Sequence, residues 1–494
     1  MLWLVLVLCC FVLAWRSRGH RGGASELPSY PGRLPIIGHT HLFWNRKTMF
    51  SSLQNMTKYA IEQMRCEPFI VYFGPFKKYF FSDLDDCVYL SNACLKKNYT
   101  FVERLIEKGL LTSDVETWKR DRKLLNPAFS FTVLNEYVTV FNSKAKQFVS
   151  DMESQVGRGP FKPDEFVADF VLKTTCHTTV NFKTDDIISN KYKRTFDELL
   201  EIYVERFQKF WLHKKFVYAF TPLHKKEIEL TQIIADITKK AILKRRSELL
   251  QNNNKTADER NDNLDDHNKP LLDLLLQLEL NHNAFSDEAL LHHLTTGIIA
   301  TYDTTSKAIK FLLLLIGSYK HVQERIYKEL QEVFGDTERD VDKQDLSKLV
   351  YLEAVIKETL RLYPVTAYVA RISETEVKLK KYTIPAKSYI VLLLYALNRH
   401  PIWGADAQMY RPERWLEPGG VPDNPHALTI FGIGKRHCIG KRYAMMMLKV
   451  TLVHFLRRYR VAGDVSKLQV NLDIMVTPTS GHEITIELRK STHN

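Results

Sequence analysis

Cysteine is scarce in this chain and follows no pairing pattern. The 494 residues hold seven: Cys9, Cys10, Cys66, Cys87, Cys94, Cys176 and Cys438. An odd, scattered set argues against a disulfide framework or a zinc module and for a reducing compartment. Gly (20) and Pro (18) are too few for collagen-like or low-complexity architecture. Internal repeats are absent, which excludes a solenoid. No dinucleotide or flavin fingerprint appears, so any nicotinamide or flavin electron source must be another protein. Negative charge is in deficit: Lys+Arg 70 against Asp+Glu 57 leaves +13. That balance suits an acidic partner or an anionic membrane face. A nucleic-acid partner is not expected, because no motif for one accompanies the charge. Apolar residues, by contrast, make up 45% of the chain, enough for a large core, and disorder is excluded.

Met1 to Trp15 is uncharged and almost wholly apolar. It is short for a span, where about 20 residues are usual. Arg16, Arg18 and Arg21 follow it. Basic residues after an apolar run hold that side in the cytoplasm, so of the two readings, a cleaved signal peptide and an uncleaved membrane anchor, residues 1–15 favour the anchor. Residues 16–38 read as a basic, proline-rich linker, with Pro28, Pro31 and Pro35 stiffening its second half. Residues 39–494 form the body.

Most of the body reads helical, with small sheets late in the chain: mainly α, of the α+β class. Gln251 to Asn268 is polar and Asn/Asp-rich and reads as a surface loop. Leu271–Leu280 is a short apolar helix. A long helix opens at Ser286, its N-cap, with Asp287 and Glu288 in the first turn, and runs to about Leu315. Its middle is nearly uncharged, so it should cross the core. Helices follow at Lys320–Phe334 and Leu346–Leu362, the second stopped by Pro364. Strands are expected at Val377–Leu379 and Ser388–Leu394, flanking a turn at Ile384-Pro385, and through the alternation of Ile484, Ile486 and Leu488.

Cys438 stands in Phe431-Gly432-Ile433-Gly434-Lys435-Arg436-His437-Cys438-Ile439-Gly440, directly before the helical pattern of Tyr443 to Leu456. A thiolate there is stabilised by the helix N-terminus and by Lys435 and Arg436. Gly434 and Gly440 let the backbone wrap closely. A lone thiolate without a resolving cysteine fits one bond to an iron cofactor. The alternative is an inert cysteine in a turn. Trp118 and Arg122, at i and i+4, present an indole N–H and a guanidinium on one helix face, a pair suited to a carboxylate. Asp303 and Thr304, in Ala300-Thr301-Tyr302-Asp303-Thr304-Thr305, lie in the apolar middle of the long helix. An acid there is costly unless partnered or used; Thr304 could bond back to the preceding turn and Asp303 could pair with a distant lysine. Glu358 and Arg361 face one side of their helix.

The run F-x-x-G-x-R-x-C-x-G resembles the cysteine loop of the cytochrome P450 superfamily, the haem-thiolate monooxygenases. W-x-x-x-R at Trp118, the acid–alcohol segment, E-x-x-R at Glu358 and Tyr410-Arg411-Pro412-Glu413-Arg414-Trp415 follow in that family's order. The chain resembles an insect-type microsomal member. The resemblance implies a triangular helical body around a central long helix. It implies haem b (iron protoporphyrin IX) held by Cys438 as metal ligand, with Trp118, Arg122, Arg371, Phe431, Arg436 and Gly440 around it. Arg371 could instead be a surface arginine on an edge strand. Asp303 and Thr304 would be catalytic, relaying protons to dioxygen, and Glu358, Arg361 and Arg414 would form a buried structural cluster locking the loop before the cysteine.

Thr301 departs from the family's glycine; it could open the helix through its hydroxyl or narrow the pocket. Leu124 to Phe129 resembles the fatty-acid hydroxylase branch, whose haem-esterified glutamate is Ala300 here, so no covalent haem link is expected. The implied reaction places one atom of O2 in a small apolar substrate (fatty acid, hormone, odorant or insecticide). Electrons would come from NADPH through a separate flavoprotein reductase, with cytochrome b5 as a further partner, at the endoplasmic reticulum membrane facing the cytosol. Lys435, Lys441, Arg442 and Lys449 are the expected docking cations, or ordinary solvated surface. The substrate pocket would draw on the loop before Trp118, Ala300, Val365–Ala370 and Thr477–Thr479. Two other readings are a reductase-independent isomerase or dehydratase and a non-catalytic haem sensor or carrier.

Overall fold

A computed structural model describes residues 27–97, 99, 102–106, 108–180, 186–255, 269–282 and 284–489. The expected anchor, residues 1–15, lies outside them. Among the described residues no helix is long and apolar enough to cross a membrane. In chain order the helices are α1 Arg46–Lys58, α2 Leu84–Ala93, α3 Glu103–Ile106, α4 Val115–Leu125, α5 Phe131–Met152, α6 Asp164–Val180, α7 Asp186–Gln208, α8 Lys215–Ala219, α9 Pro222–Lys255, α10 Leu271–His282, α11 Asp287–Ser318, α12 Lys320–Phe334, α13 Asp345–Lys348, α14 Val350–Leu362, α15 Leu394–Leu397 and α16 Lys441–Arg458. The strands are β1 Phe69–Phe73, β2 Phe76–Phe81, β3 Val369–Ile372, β4 Val377–Lys378, β5 Thr383–Ile384, β6 Tyr389–Leu392, β7 Tyr459–Gly463, β8 Gln469–Leu472, β9 Val476–Ser480 and β10 Ile484–Leu488. The mainly α architecture with small sheets is the one expected.

The chain forms two compact units. The first takes residues up to 98, 366–407 and 424–436; the second takes 99–365, 408–423 and 437–494. The first is built on a four-stranded sheet in the order β1-β2-β6-β3. Only β2 and β6 run parallel in it. The proline-rich stretch from Leu27 is docked on this sheet: Tyr30 N donates to Ile70 O at 2.8 Å and Ile70 N to Pro28 O at 2.8 Å.

The second unit is helical around α11. Ser286 Oγ accepts from Ala289 N at 3.2 Å to start that helix, which runs three residues past the expected end. From Phe311 to Gly317 every residue is buried, so the helix is covered all round there. It packs on α6 and β7, while α16 packs on α5.

Three boundaries differ from expectation. The stretch Ser388–Leu394 is strand only from Tyr389 to Leu392, and Leu394 already opens α15. A fully buried apolar run carries no period to separate strand from helix. The expected partner also differs: β4 pairs with β5, and β6 with β2 and β3. Gln251–Lys255 continues α9 rather than forming a loop, because a long helix propagates into polar sequence more easily than a new one nucleates; residues 256–268 lie outside the described residues. The expected helix 346–362 is split at Leu349 (φ −81°, ψ 67°). There the Glu329 carboxylate of α12 accepts from Tyr351 N (2.6 Å) and Leu352 N (2.9 Å), capping α14 from a neighbouring helix.

Two buried polar clusters tie this unit together. Glu358, Arg361 and Arg414 are all fully buried. The carboxylate accepts from Arg361 Nε (2.9 Å) and Nη2 (2.8 Å), Arg414 Nε (2.9 Å), Trp415 Nε1 (3.1 Å) and Arg411 N (3.0 Å). With its lone pairs filled, the anion is stable inside, but removing it strands two buried cations. Urea unfolding of Glu358→Gln should show a loss of about 3–5 kcal/mol; a loss below about 1 kcal/mol would contradict this account.

The second cluster joins α16 to α5. His454 Nε2 lies 2.7 Å from Asn142 Oδ1, and Asn142 exchanges hydrogen bonds with the Val341 backbone (2.8 and 3.0 Å). Burial lowers the His454 pKa to about 4 from 6.5. The unfolded imidazole takes its proton near pH 6.5, the folded one only near 4, so stability is full above 6.5 and is lost as pH falls between the two. The stability gap between wild type and His454→Gln should therefore narrow by about 2 kcal/mol from about pH 7 to about pH 4.5. Urea titrations at both values would measure it, and an unchanged gap would contradict it.

Candidate active site

A sulfur that is to bind a metal must ionise and be reachable. Four of the described cysteines fail that requirement. Cys66, Cys87, Cys94 and Cys176 are buried. Burial pushes the Cys66 thiol to about 11, Cys176 to about 12, Cys87 well above its ordinary value and Cys94 upward. Cys438 is exposed. It lies three residues before Lys441, the first residue of α16, at the positive end of that helix.

The loop that presents it is held from both sides. Gly434 has φ +69°, and a Cβ there would stand 2.1 Å from Ser91 Oγ on α2, so the position admits only glycine. Lys435 N donates to Asn92 Oδ1 of the same helix at 3.1 Å. After the cysteine, a Cβ at Gly440 would stand 3.9 Å from Cys438 Sγ and 3.9 Å from Phe129, an ordinary contact distance. The wrapping expected of both glycines is thus enforced by neighbours at Gly434 alone.

Asp114 caps α4, its Oδ1 accepting from Glu116 N (3.1 Å) and Thr117 N (3.0 Å). These bonds, Thr117 first, hold its carboxyl below the usual range. One turn on, Trp118 is buried. Arg122 Nη1 donates to His437 O, beside the cysteine, at 3.0 Å, and its Nε to Asn126 Oδ1 at 3.0 Å. Burial lowers the Arg122 pKa, and the negative charge of Cys438 opposes that shift. The guanidinium thus serves the cysteine's own loop, a contact the pairing of Trp118 with Arg122 gives no hint of. In the first unit Arg371 is only 1% exposed although β3 is an edge strand. Its reading as a surface arginine is wrong, since the strand's other side is covered. Arg436 is buried and Phe431 half-buried.

The middle of α11 is helical without a break through Ala300–Thr305, so Thr301 does not open it. Ile299 and Asp303 are half-buried; so are Gly297, Thr301 and Thr304, which lie with the exposed Ala300 along the helix. Spacings of three, four and seven place these last four on one face. Thr304 Oγ1 donates to Ala300 O at 2.6 Å. Asp303 is ion-paired with Lys307 one turn on, the two side chains 14% and 9% exposed. The back-bonding alternative for Thr304 is therefore realised, while the lysine that pairs with Asp303 is a local one and not the distant one expected; the D-x-x-x-K spacing is its signal. Tyr302 packs edge-on against Phe196 (5.6 Å) and fills core.

Several lining stretches meet in the second unit. Val476 N donates to Val365 O at 2.8 Å, beside the Thr477–Thr479 stretch, and β9 packs on α11. One expected docking cation is lost. Lys449 is 5% exposed, its Nζ bound to Glu353 Oε2 (2.6 Å) and Leu346 O (2.6 Å). Helix α16 is buried from Met446 to Leu456, which leaves Lys441 and Arg442 exposed in its first turn and Arg458 exposed at its far end.

In the second unit an exposed cysteine, the Arg122 guanidinium on the carbonyl beside it and a buried indole supply donors of the kind that an iron macrocycle bearing carboxylates requires. The residues present fit haem. A model of the cytochrome P450 family matches residues 28–486. Over its length the chain is 28% identical to cytochrome P450 4c21 of Blattella germanica, covering 98% of each chain. It is 27% identical to cytochrome P450 4V2 of Homo sapiens (94% of this chain, 90% of the relative) and 30% identical to the probable cytochrome P450 4s3 of Drosophila melanogaster (85% of each). By the reach of that match, and with a cysteine loop to carry its chemistry, the chain belongs to the cytochrome P450 family and is a haem-thiolate monooxygenase.

Proposed function

We propose that the Cys438 sulfur would hold the iron of haem b and that the substrate is a small apolar molecule (a fatty acid, hormone, odorant or insecticide). The observation that carries this is the exposed sulfur at the α16 N-terminus, with the Arg122 guanidinium on the adjoining carbonyl. Trp118 and Arg122 are assigned to a cofactor carboxylate, and so, by their match to the family motifs, are Arg371 and Arg436. Phe431 and Gly440 belong to the loop presenting the sulfur. Bound there, haem supplies the iron at which dioxygen is cleaved with two electrons and two protons, one atom entering the substrate and one leaving as water.

The chain's own residues prepare that chemistry. The α16 N-terminus and Arg122 favour the thiolate over the thiol. Ala300, small and exposed on the uncovered face of α11, leaves room beside it. Thr304 spends its hydroxyl proton on Ala300 O, which leaves its oxygen to accept a hydrogen bond from water. Asp303 carries protons inward by leaving Lys307 and returning to it. Glu358, Arg361 and Arg414 hold the segment before the cysteine. Electrons come from NADPH through a flavoprotein reductase, with cytochrome b5 as a second donor. Lys441 and Arg442, exposed on α16, suit an acidic docking surface. Residues 1–15 anchor the protein in the endoplasmic reticulum membrane.

Haem-loaded full-length protein should give a visible spectrum that shifts with apolar ligands and that Cys438→His changes in character; a spectrum indifferent to that substitution would reject the axial assignment. With reductase and NADPH, Asp303→Asn and Thr304→Ala should keep consuming NADPH while product formation falls about 100-fold. Unaltered product per NADPH in both variants would reject the proton-carrying role.

A further inference from the structure

We propose that the buried pair Asp121–His293 is a positioning device that clasps α4 to α11 and thereby keeps the cofactor-holding side chains of α4 in place; this rests on the reading of α4 as a haem-binding helix. The buried residues of α4 are Trp118, Asp121 and Leu125. They form the inner stripe of an otherwise strongly charged helix, and the middle of that stripe should be apolar. Instead it carries a carboxylate. Asp121 and His293 are each 1% exposed at the side chain, and Oδ2 lies 3.1 Å from Nε2. The other oxygen, Oδ1, accepts from Arg120 Nε at 2.8 Å. Arg120 lies over the Phe285 ring at 5.9 Å, and that ring meets the His293 imidazole edge-on at 5.2 Å. The carboxylate is thus held between a guanidinium that reaches solvent and an imidazole on α11.

A second attachment lies one turn away. A Cβ at Gly109, in the chain leading to α4, would stand 2.0 Å from Thr296 Oγ1 and 2.7 Å from His292 O. The loop therefore rests on the α11 backbone where no side chain fits. Both attachments fall on residues 292–296, and His293 shares the α11 face of Gly297, Ala300 and Thr304. From His293 to Ala300 is about 10 Å along the helix axis. The pair sits at the end of the uncovered face. On α4, Asp121 is flanked by Trp118, one turn back, and Arg122, the next residue. Arg122 in turn reaches His437 O beside Cys438. A continuous line of polar contacts and helix backbone thus runs from α11 through α4 to the cysteine loop. A rotation of α4 would break it at Asp121 first. Direction is the reason for a polar pair here: apolar contacts would tolerate that rotation, whereas a buried carboxylate that turns away loses its one partner on α11.

The test uses full-length, haem-loaded protein mixed with an excess of a haem-scavenging apoprotein, with transfer followed by absorbance. Asp121→Asn and His293→Gln should each speed haem release about 10- to 100-fold, as loss of an outer partner of a cofactor-holding group does. The swapped double variant Asp121→His/His293→Asp should return release toward the wild-type rate. The apolar double variant Asp121→Leu/His293→Leu should keep its resistance to urea yet release haem as fast as the single variants. Wild-type release from the single variants, or full retention by the apolar pair, overturns the proposal. Arg122→Ala separates the two layers of the argument. If it speeds release while the single variants do not, the clasp alone is wrong; if it leaves release unchanged, the assignment of α4 fails and the clasp with it.

Discussion

A sulfur that must carry negative charge and still be reachable is the constraint on which the rest depends. Burial protects a thiolate from water but raises its pKa, as it does for Cys66, Cys87 and Cys176. Exposure alone leaves a thiol at its ordinary value, mostly protonated near neutral pH. Cys438 escapes the conflict by sitting at a helix N-terminus with a guanidinium one residue away. Backbone dipoles and a fixed cation then do the work that solvent does elsewhere. Much of the second unit serves that placement. Helix α16 is tied to α5 through His454 and Asn142, and to α14 through Lys449 and Glu353.

The buried polar groups around these helices share one design. Each takes at least one partner from far away in the chain. Glu358 gathers donors from residues 361, 411, 414 and 415. Glu329 caps a helix to which it does not belong. Asn142 bonds both the Val341 backbone and His454. Such contacts add little net stability when complete and cost much when broken, so they act chiefly by making one arrangement unique. That suits an enzyme whose proposed site residues come from α4, α11 and the loop before α16.

Helix α11 combines two requirements that pull against each other. As a core element it is buried from Thr305 to Ser306 and onward through Gly317 except at Lys310. As a functional element it keeps Gly297, Ala300, Thr301 and Thr304 uncovered on one face. Small residues at that spacing meet both, because they leave space on one side while leucines pack on the other. The polar cost is contained within the helix itself. Thr304 bonds to Ala300 and Asp303 pairs with Lys307, each four residues apart, so no distant partner is needed.

What the amino-acid order determined by itself is whatever repeats or caps over a few residues. The start of α11 at Ser286, the limits of α12, the strand at Ile484 and the loop carrying Cys438 were all readable, because hydrogen bonding and side-chain period are local. Tertiary structure alone decided which groups face which. Lys449 and Arg371 look like surface cations until a neighbouring helix or the cover over a sheet edge takes them out of water. The break at Leu349 depends on a carboxylate twenty residues upstream, and the Asp121–His293 contact joins residues with no pattern in common. Periodicity says which side of a helix is inward; what waits there is set by the packing of segments distant in the chain.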